Sequence, residues 1–155
     1  MSLDAARPGL PDPAPPGSAG PGRAGLPRRG RVGLRVVIVD ADRRVRRDLA
    51  ELVALAPGVF VVGSVGTAEE AVAAVGATGP DVVVVDPDLP EVELGLTLVD
   101  RLRADRPELR VVVMSCSGAV EAPALAHGAD TFVPKNGQPV VLLDAIFGRD
   151  RGARG

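Results

Sequence analysis

The sequence predicts an open α/β domain: one sheet of five parallel strands with helices on both faces. Three observations carry that prediction. Short runs of Val and Ile are continuous rather than alternating, which marks strands buried on both faces, as in a parallel sheet. Between these runs lie segments whose apolar residues recur at helical spacing. Strands and helices then alternate strictly along the chain, with no internal repeat.

The first strand is Leu34–Val39 (LRVVIV), and Asp42 stands where it can cap a helix carrying Val45, Leu49, Leu52 and Val53 on one face. Val59–Gly63 (VFVVG) is the second strand. Thr67 and Glu70 form a capping-box pattern ahead of Ala71, Val72 and Val75. The third strand is Asp81–Val85 (DVVVV), followed by a helix marked by Leu96, Val99 and Leu102 and ended near Pro107. Arg110–Met114 (RVVVM) is the fourth strand. The segment between Ser115 and Gly128 is a weak helix, interrupted by Gly118 and Pro123. Asp130–Val133 (DTFV) is the fifth strand, and Pro139 opens a last helix whose face is Val140, Leu143 and Phe147.

The chain divides into a tail over 1–31, a folded domain over 32–148 and a flexible end over 149–155. The tail is rich in Pro, Gly, Ala and Arg and lacks apolar periodicity, so it cannot offset its ordering entropy. It carries a charge of +3, which leaves −5 on the remainder of a chain whose total is −2. An acidic folded part with no Trp or Tyr is poorly supplied for direct nucleic-acid contact, which needs clustered cations and stacking rings. Cys116 is the only cysteine, so no disulfide forms within the chain. With no signal-peptide core and no membrane-length apolar segment, the expected location is the cytoplasm, with no membrane partner.

In open parallel sheets the site lies beyond the carboxyl ends of the strands. The first strand ends in Asp40-Ala41-Asp42, the third in Asp86-Pro87-Asp88, the fourth at Ser115 and the fifth at Pro134-Lys135. Carboxylates, a hydroxyl and a lysine on one rim suggest phosphoryl transfer. Clustered carboxylates hold Mg²⁺, a carboxylate can form an acyl phosphate, and Lys and Ser supply charge and a donor to phosphoryl oxygens. Taken singly, Asp42 fits a helix cap better than a ligand, and Asp88 fits a solvated turn equally well. The joint pattern at four strand ends is what points to chemistry.

At these residues the chain resembles the receiver domains of bacterial response regulators, particularly those attached to helix-turn-helix transcription factors. The stretches that carry the resemblance are RVVIVDADRRVRRDLAELV, GVFVVGSVGTAEEAVAAV, PDVVVVDPDLPEVELG, VVVMS and HGADTFVPK, together spanning about Leu34 to Phe147. The resemblance implies a flavodoxin-like doubly wound fold and a two-component signalling role, with a histidine kinase as phosphodonor and a downstream protein as reader. It implies Asp86 as the phosphoacceptor, Asp40 and Asp86 with the backbone carbonyl of Asp88 as the Mg²⁺ pocket, and Lys135 as counter-ion. Ser115 would be the switch hydroxyl and Phe132 the aromatic switch residue, with Pro90 as the proline of the following loop. Since eight residues follow Phe147, the expectation is a stand-alone receiver, not an enzyme, without an output domain.

Three features depart from the family pattern. Where receivers carry a second acidic residue after the first strand, this chain has Ala41. Losing that carboxylate weakens Mg²⁺ binding while relieving a repulsion of about 4 kcal/mol at close range in an effective dielectric near 20. The loop after Pro90 reads Glu91-Val92-Glu93-Leu94-Gly95, one residue longer than usual, and the fourth helix is short and broken by Pro123. Ala41 therefore supports an alternative, a degenerate pseudo-receiver that binds partners without phosphorylation. A third reading rests on Asp40-Ala41-Asp42, Ser115 and Lys135, which also resemble the haloacid-dehalogenase phosphohydrolases. Arg43 and Arg44 after Asp42 depart from that pattern, and beyond Lys135 only Asp144 and Asp150 could supply its later acid. Cys116 reads as a small packing residue rather than a redox sensor, and His127 as a helix-end residue rather than a metal ligand.

Overall fold

The valine runs become the middle of a parallel sheet. The computed structural model describes residues 32–89 and 92–149. The tail assigned to 1–31, the end beyond 149 and the Pro90 of the altered loop lie outside the described residues. The strands are β1 (Leu34–Val39), β2 (Val59–Val65), β3 (Val82–Val85), β4 (Arg110–Ser115) and β5 (Thr131–Pro134), ordered β2-β1-β3-β4-β5 with every pairing parallel. The helices are α1 (Arg43–Ala54), α2 (Ala68–Thr78), α3 (Val92–Asp105), α4 (Glu121–Ala126) and α5 (Pro139–Phe147). From β1 the chain first builds outward to β2 and then crosses back to β3. The order thus reverses between β1 and β3, where a doubly wound sheet opens its crevice.

Each strand divides its side chains between two cores. Val37, Val39, Val83, Val85, Val111 and Val113 pack on one face with residues of α2, α3 and α4, including Ala71, Val75, Val99, Leu102 and Ala124. Leu34, Val36, Ile38, Val82, Val84, Val112 and Met114 pack on the other with Val53 of α1 and with Leu142, Ala145 and Ile146 of α5. This double burial explains the unbroken apolar runs.

Strand limits differ from expectation by one or two residues, and side chains explain two of the shifts. Asp81 and Asp130, expected inside strands, lie just before them. The Asp81 carboxylate accepts from Arg35 N at 2.9 Å, and Asp130 Oδ2 accepts from Val111 N at 2.8 Å. Both acids spend their side chains on a neighbouring strand's amide.

The helix starts follow the sequence with one correction. Asp42 Oδ1 accepts from Arg44 N at 2.8 Å and from Val45 N at 3.3 Å, so Asp42 caps α1. Thr67 Oγ1 accepts from Glu70 N at 3.1 Å, but Glu70 returns its carboxylate to Gly66 N rather than to Thr67. Pro123 does not break α4. A 3₁₀ turn over Gly118–Val120 precedes the helix, and Pro123 sits in its first turn, where the missing N–H has no intrahelical partner to lose. The face expected for α5 is also corrected. Leu142, Ala145 and Ile146 are buried, whereas Val140 is 53% exposed and Leu143 and Phe147 are half-buried.

Arg103, near the end of α3, fastens three segments that the sequence leaves unconnected. Its guanidinium donates to the carbonyls of Pro107, Leu109 and Gly128 and to Asp130 Oδ2, at 2.5–3.1 Å. Removing it strands several part-buried acceptors at once. Arg103→Ala is expected to lower unfolding free energy by about 2–3 kcal/mol, read as a lower urea midpoint at unchanged slope.

Candidate functional site

β1 and β3 are neighbours in register, with Val39 opposite Val85, so the residues that follow them emerge side by side. Asp86 N continues the ladder by donating to Val39 O at 2.8 Å, and Asp40 N donates to Val65 O at 3.1 Å. Both carboxylates are nearly enclosed, Asp40 at 2% and Asp86 at 6% exposure. Each is held by the same local device. Asp40 Oδ1 accepts from Asp42 N and Asp86 Oδ1 from Asp88 N, both at 2.8 Å, as in an Asx turn. One oxygen of each acid is thereby fixed and the other turned to the rim.

Those two free oxygens meet the ammonium of Lys135, which follows β5. Lys135 Nζ donates to Asp40 Oδ2 at 2.7 Å and also to Asp86 Oδ2. Lys135 N donates to Ser115 O at 2.9 Å, which ties the end of β5 to that of β4. Three of the four strand ends picked out in the sequence therefore meet in one ion cluster. Ser115 is fully buried at the fourth, and its hydroxyl accepts from Ser117 N at 3.1 Å rather than reaching Lys135.

The other sequence candidates are placed as follows. Asp88 is exposed, and its amide is committed to Asp86. Phe132 is half-buried against the core beneath α3 and α4. Ala41 is exposed, and Asp42 is taken by its cap. Sequence reading passed over two contributors. Arg46 Nη1 donates to the Asp40 carbonyl at 2.8 Å, bracing the β1–α1 turn. Gly95 lies against Pro87, so closely that a Cβ there would stand 2.2 Å from the Pro87 carbonyl oxygen. One signal was available without structure, because Lys135 is the only lysine among eighteen basic residues.

Burial alone would lower the Lys135 pKa, but hydrogen bonds to Asp40 and Asp86 and the attraction of both charges outweigh it, so it lies above the ordinary 10.5. A group raised on folding stabilises the fold fully below its unfolded value and loses that contribution as pH climbs through the folded one. Wild-type stability is therefore expected to fall above about pH 10.5, with a shallower fall in Lys135→Met, as followed by urea unfolding. The chain has no tyrosine and no second lysine to mask the effect.

The donor set suits a hard divalent cation: two convergent carboxylates with a backbone carbonyl nearby in sequence, oxygen ligands of the kind Mg²⁺ takes while keeping several waters. Among the described residues no third acidic side chain joins them, and no group of three or more His, Cys, Asp and Glu is placed to hold a metal.

Residues 36–147 match the response regulator receiver domain. The nitrate/nitrite response regulator NarL of Escherichia coli K12 is 30% identical over 113 residues, covering 72% of this chain and 52% of that protein. The DNA-binding transcriptional activator DevR/DosR of Mycobacterium tuberculosis is 35% identical over 122 residues, covering 77% of this chain and 55% of that protein. The chain thus spans about half the length of these relatives. A crystal structure of a LuxR-family two-component response regulator from Aurantimonas sp. SI85-9A1 superposes with a TM-score of 0.71 at 29% identity, covering 77% of this chain and 86% of that one.

Proposed function

The chain belongs to the response regulator receiver family of two-component signalling, and from that premise we propose that it takes a phosphoryl group onto Asp86 from a histidine kinase. The single observation supporting this reading is the shared ammonium of Lys135 on Asp40 and Asp86 at the reversal point of the sheet. An oxygen of Asp86 forms the new O–P bond as the P–N bond of a phosphohistidine breaks, and the imidazole leaves with that electron pair. Asp88 N, already on Asp86 Oδ1, fixes the carboxylate for attack. Lys135 then offers its charge to the phosphoryl oxygens.

Asp40, Asp86 and the carbonyl of Asp88 would hold Mg²⁺, which when bound supplies positive charge to the transferring group. Ser115 and Phe132 are the switch pair: the hydroxyl leaves Ser117 N for the phosphoryl group, and the ring follows inward. The output is a change of protein contacts read by a downstream protein in the cytoplasm, with no direct nucleic-acid contact and no turnover of a substrate. No described helix is long and apolar enough to cross a membrane. Asp42, which a dehalogenase-like hydrolysis would need as acid-base, is spent on capping α1, and this counts against that reading.

Ala41 favours a second reading, a pseudo-receiver that binds partners through the same fold with Asp86 unmodified. Phosphoramidate, whose P–N bond mimics phosphohistidine, separates the two. After treatment with it, borohydride reduction converts an acyl-phosphorylated Asp86 to homoserine, which peptide mass analysis detects. Homoserine at residue 86 supports the first reading; unchanged Asp86 in folded protein supports the second.

A further inference from the structure

Beside the phosphoacceptor site, and outside any role proposed above, α1 presents a strongly cationic concavity. Arg43, Arg44, Arg46 and Arg47, together with Ala50 and with Ser64 of β2, line an open concavity of about 450 Å³, within the size range of small-ligand sites. Arg43, Arg46, Arg47 and Ala50 fall at i, i+3, i+4 and i+7, so one face of the helix supplies the wall. No carboxylate is among the described residues lining it. The groove between α2 and α3 differs, since Asp105 and Glu108 line it beside Arg106.

The placement of these charges runs against the helix they belong to. Arg43, Arg44 and Arg46 occupy the first turn of α1, where the helix dipole already places positive charge, and that turn carries no acid. Across the described surface, Arg47 meets Asp48 only at 3.8 Å with both side chains largely exposed, a weak contact. Arginines packed together at a helix N-terminus disfavour the free protein and favour a complex with a multiply charged anion. Asp42 already takes the first-turn amides, so the guanidiniums rather than the backbone are the donors left for a ligand. Guanidinium forks match phosphate oxygens in pairs, and Ser64 adds a hydroxyl to the lining.

We propose that this concavity binds a small polyphosphorylated anion, of the class of nucleoside polyphosphates and inorganic polyphosphate. Arg46 belongs to both sites, since its Nη1 also holds the Asp40 carbonyl. The test therefore leaves Arg46 in place.

The probe is inorganic triphosphate, titrated calorimetrically into the full chain at near-physiological salt. Arg43→Gln/Arg44→Gln/Arg47→Gln should weaken binding at least about tenfold, the loss of roughly one good charge-assisted contact. Arg101→Gln/Arg106→Gln/Arg149→Gln, which removes equal charge elsewhere, should leave affinity within about twofold, as should Asp86→Asn. Circular dichroism checks that every variant is folded. No binding by the wild type overturns the proposal, and so does equal weakening in the two triple variants, which marks general charge attraction. Loss of binding in Asp86→Asn would place the anion at the phosphoacceptor site instead. A hexaglutamate peptide that binds through the same three arginines more tightly than triphosphate would make this a contact for an acidic protein segment, again overturning it.

Discussion

Gly95→Ala should cost about 3 kcal/mol or more of stability, the upper end of what a single inserted methyl group does to a packed site. Gly95 lies in α3, and a Cβ there would stand 2.2 Å from Pro87 O, 2.3 Å from Pro87 Cα and 2.6 Å from Pro87 C. Those are backbone atoms, which have no rotamer to escape into. Either α3 retreats from the sheet or Pro87 moves, and Pro87 joins Asp86 to the Asp88 amide that holds it. Gly76 in α2 is the matched control, because a Cβ there meets nothing within 4 Å. Gly76→Ala should stabilise by up to about 1 kcal/mol through helix propensity alone. Urea unfolding of both variants gives opposite signs if the contact is what matters. Equal effects would mean that helix propensity alone acts at both positions and the Pro87 contact does not matter.

Lys135→Met should be the most damaging change at the site, destabilising by about 3–5 kcal/mol near neutral pH. Methionine fills a similar volume, so the loss is electrostatic. Asp40 and Asp86 then face one another at a few per cent exposure without the cation they share. A double-mutant cycle separates this from lost packing. If repulsion between bared carboxylates is the cause, Lys135→Met/Asp40→Asn recovers part of the deficit; if packing is the cause, the two changes add. Lys135→Met should also fail to accept phosphate, because among the described residues no other cation bonds the Asp86 carboxylate.

The same residues explain what was legible in the sequence. Continuous Val runs named the strands because burial on both faces leaves no polar positions, and the candidate site was sought at the strand ends because doubly wound sheets place chemistry there. Asp40, Asp86 and Lys135 could be brought together from order alone. The face of α5 could not. PVVLLDAIF is apolar on nearly every side, so periodicity does not choose between Val140–Leu143–Phe147 and Leu142–Ala145–Ile146. The Arg103 fastening was equally hidden, since its acceptors are mostly backbone carbonyls up to 25 residues away. Asp42 is the instructive middle case. Its two possible roles were both visible, and the amides of Arg44 and Val45 decide for the cap.

That assignment leaves the pocket with two acidic side chains, and the proposed phosphotransfer depends on whether Asp86 still accepts phosphate with Ala41 in place of a second acid after β1. Intact-mass spectrometry of the full chain after incubation with acetyl phosphate and Mg²⁺ answers this directly. The wild type is expected to gain about 80 Da, one phosphoryl group, in a Mg²⁺-dependent manner, and Asp86→Asn to gain nothing. A folded wild type that stays at its unmodified mass at every Mg²⁺ concentration, or an Asp86→Asn variant that gains the same mass, contradicts the account.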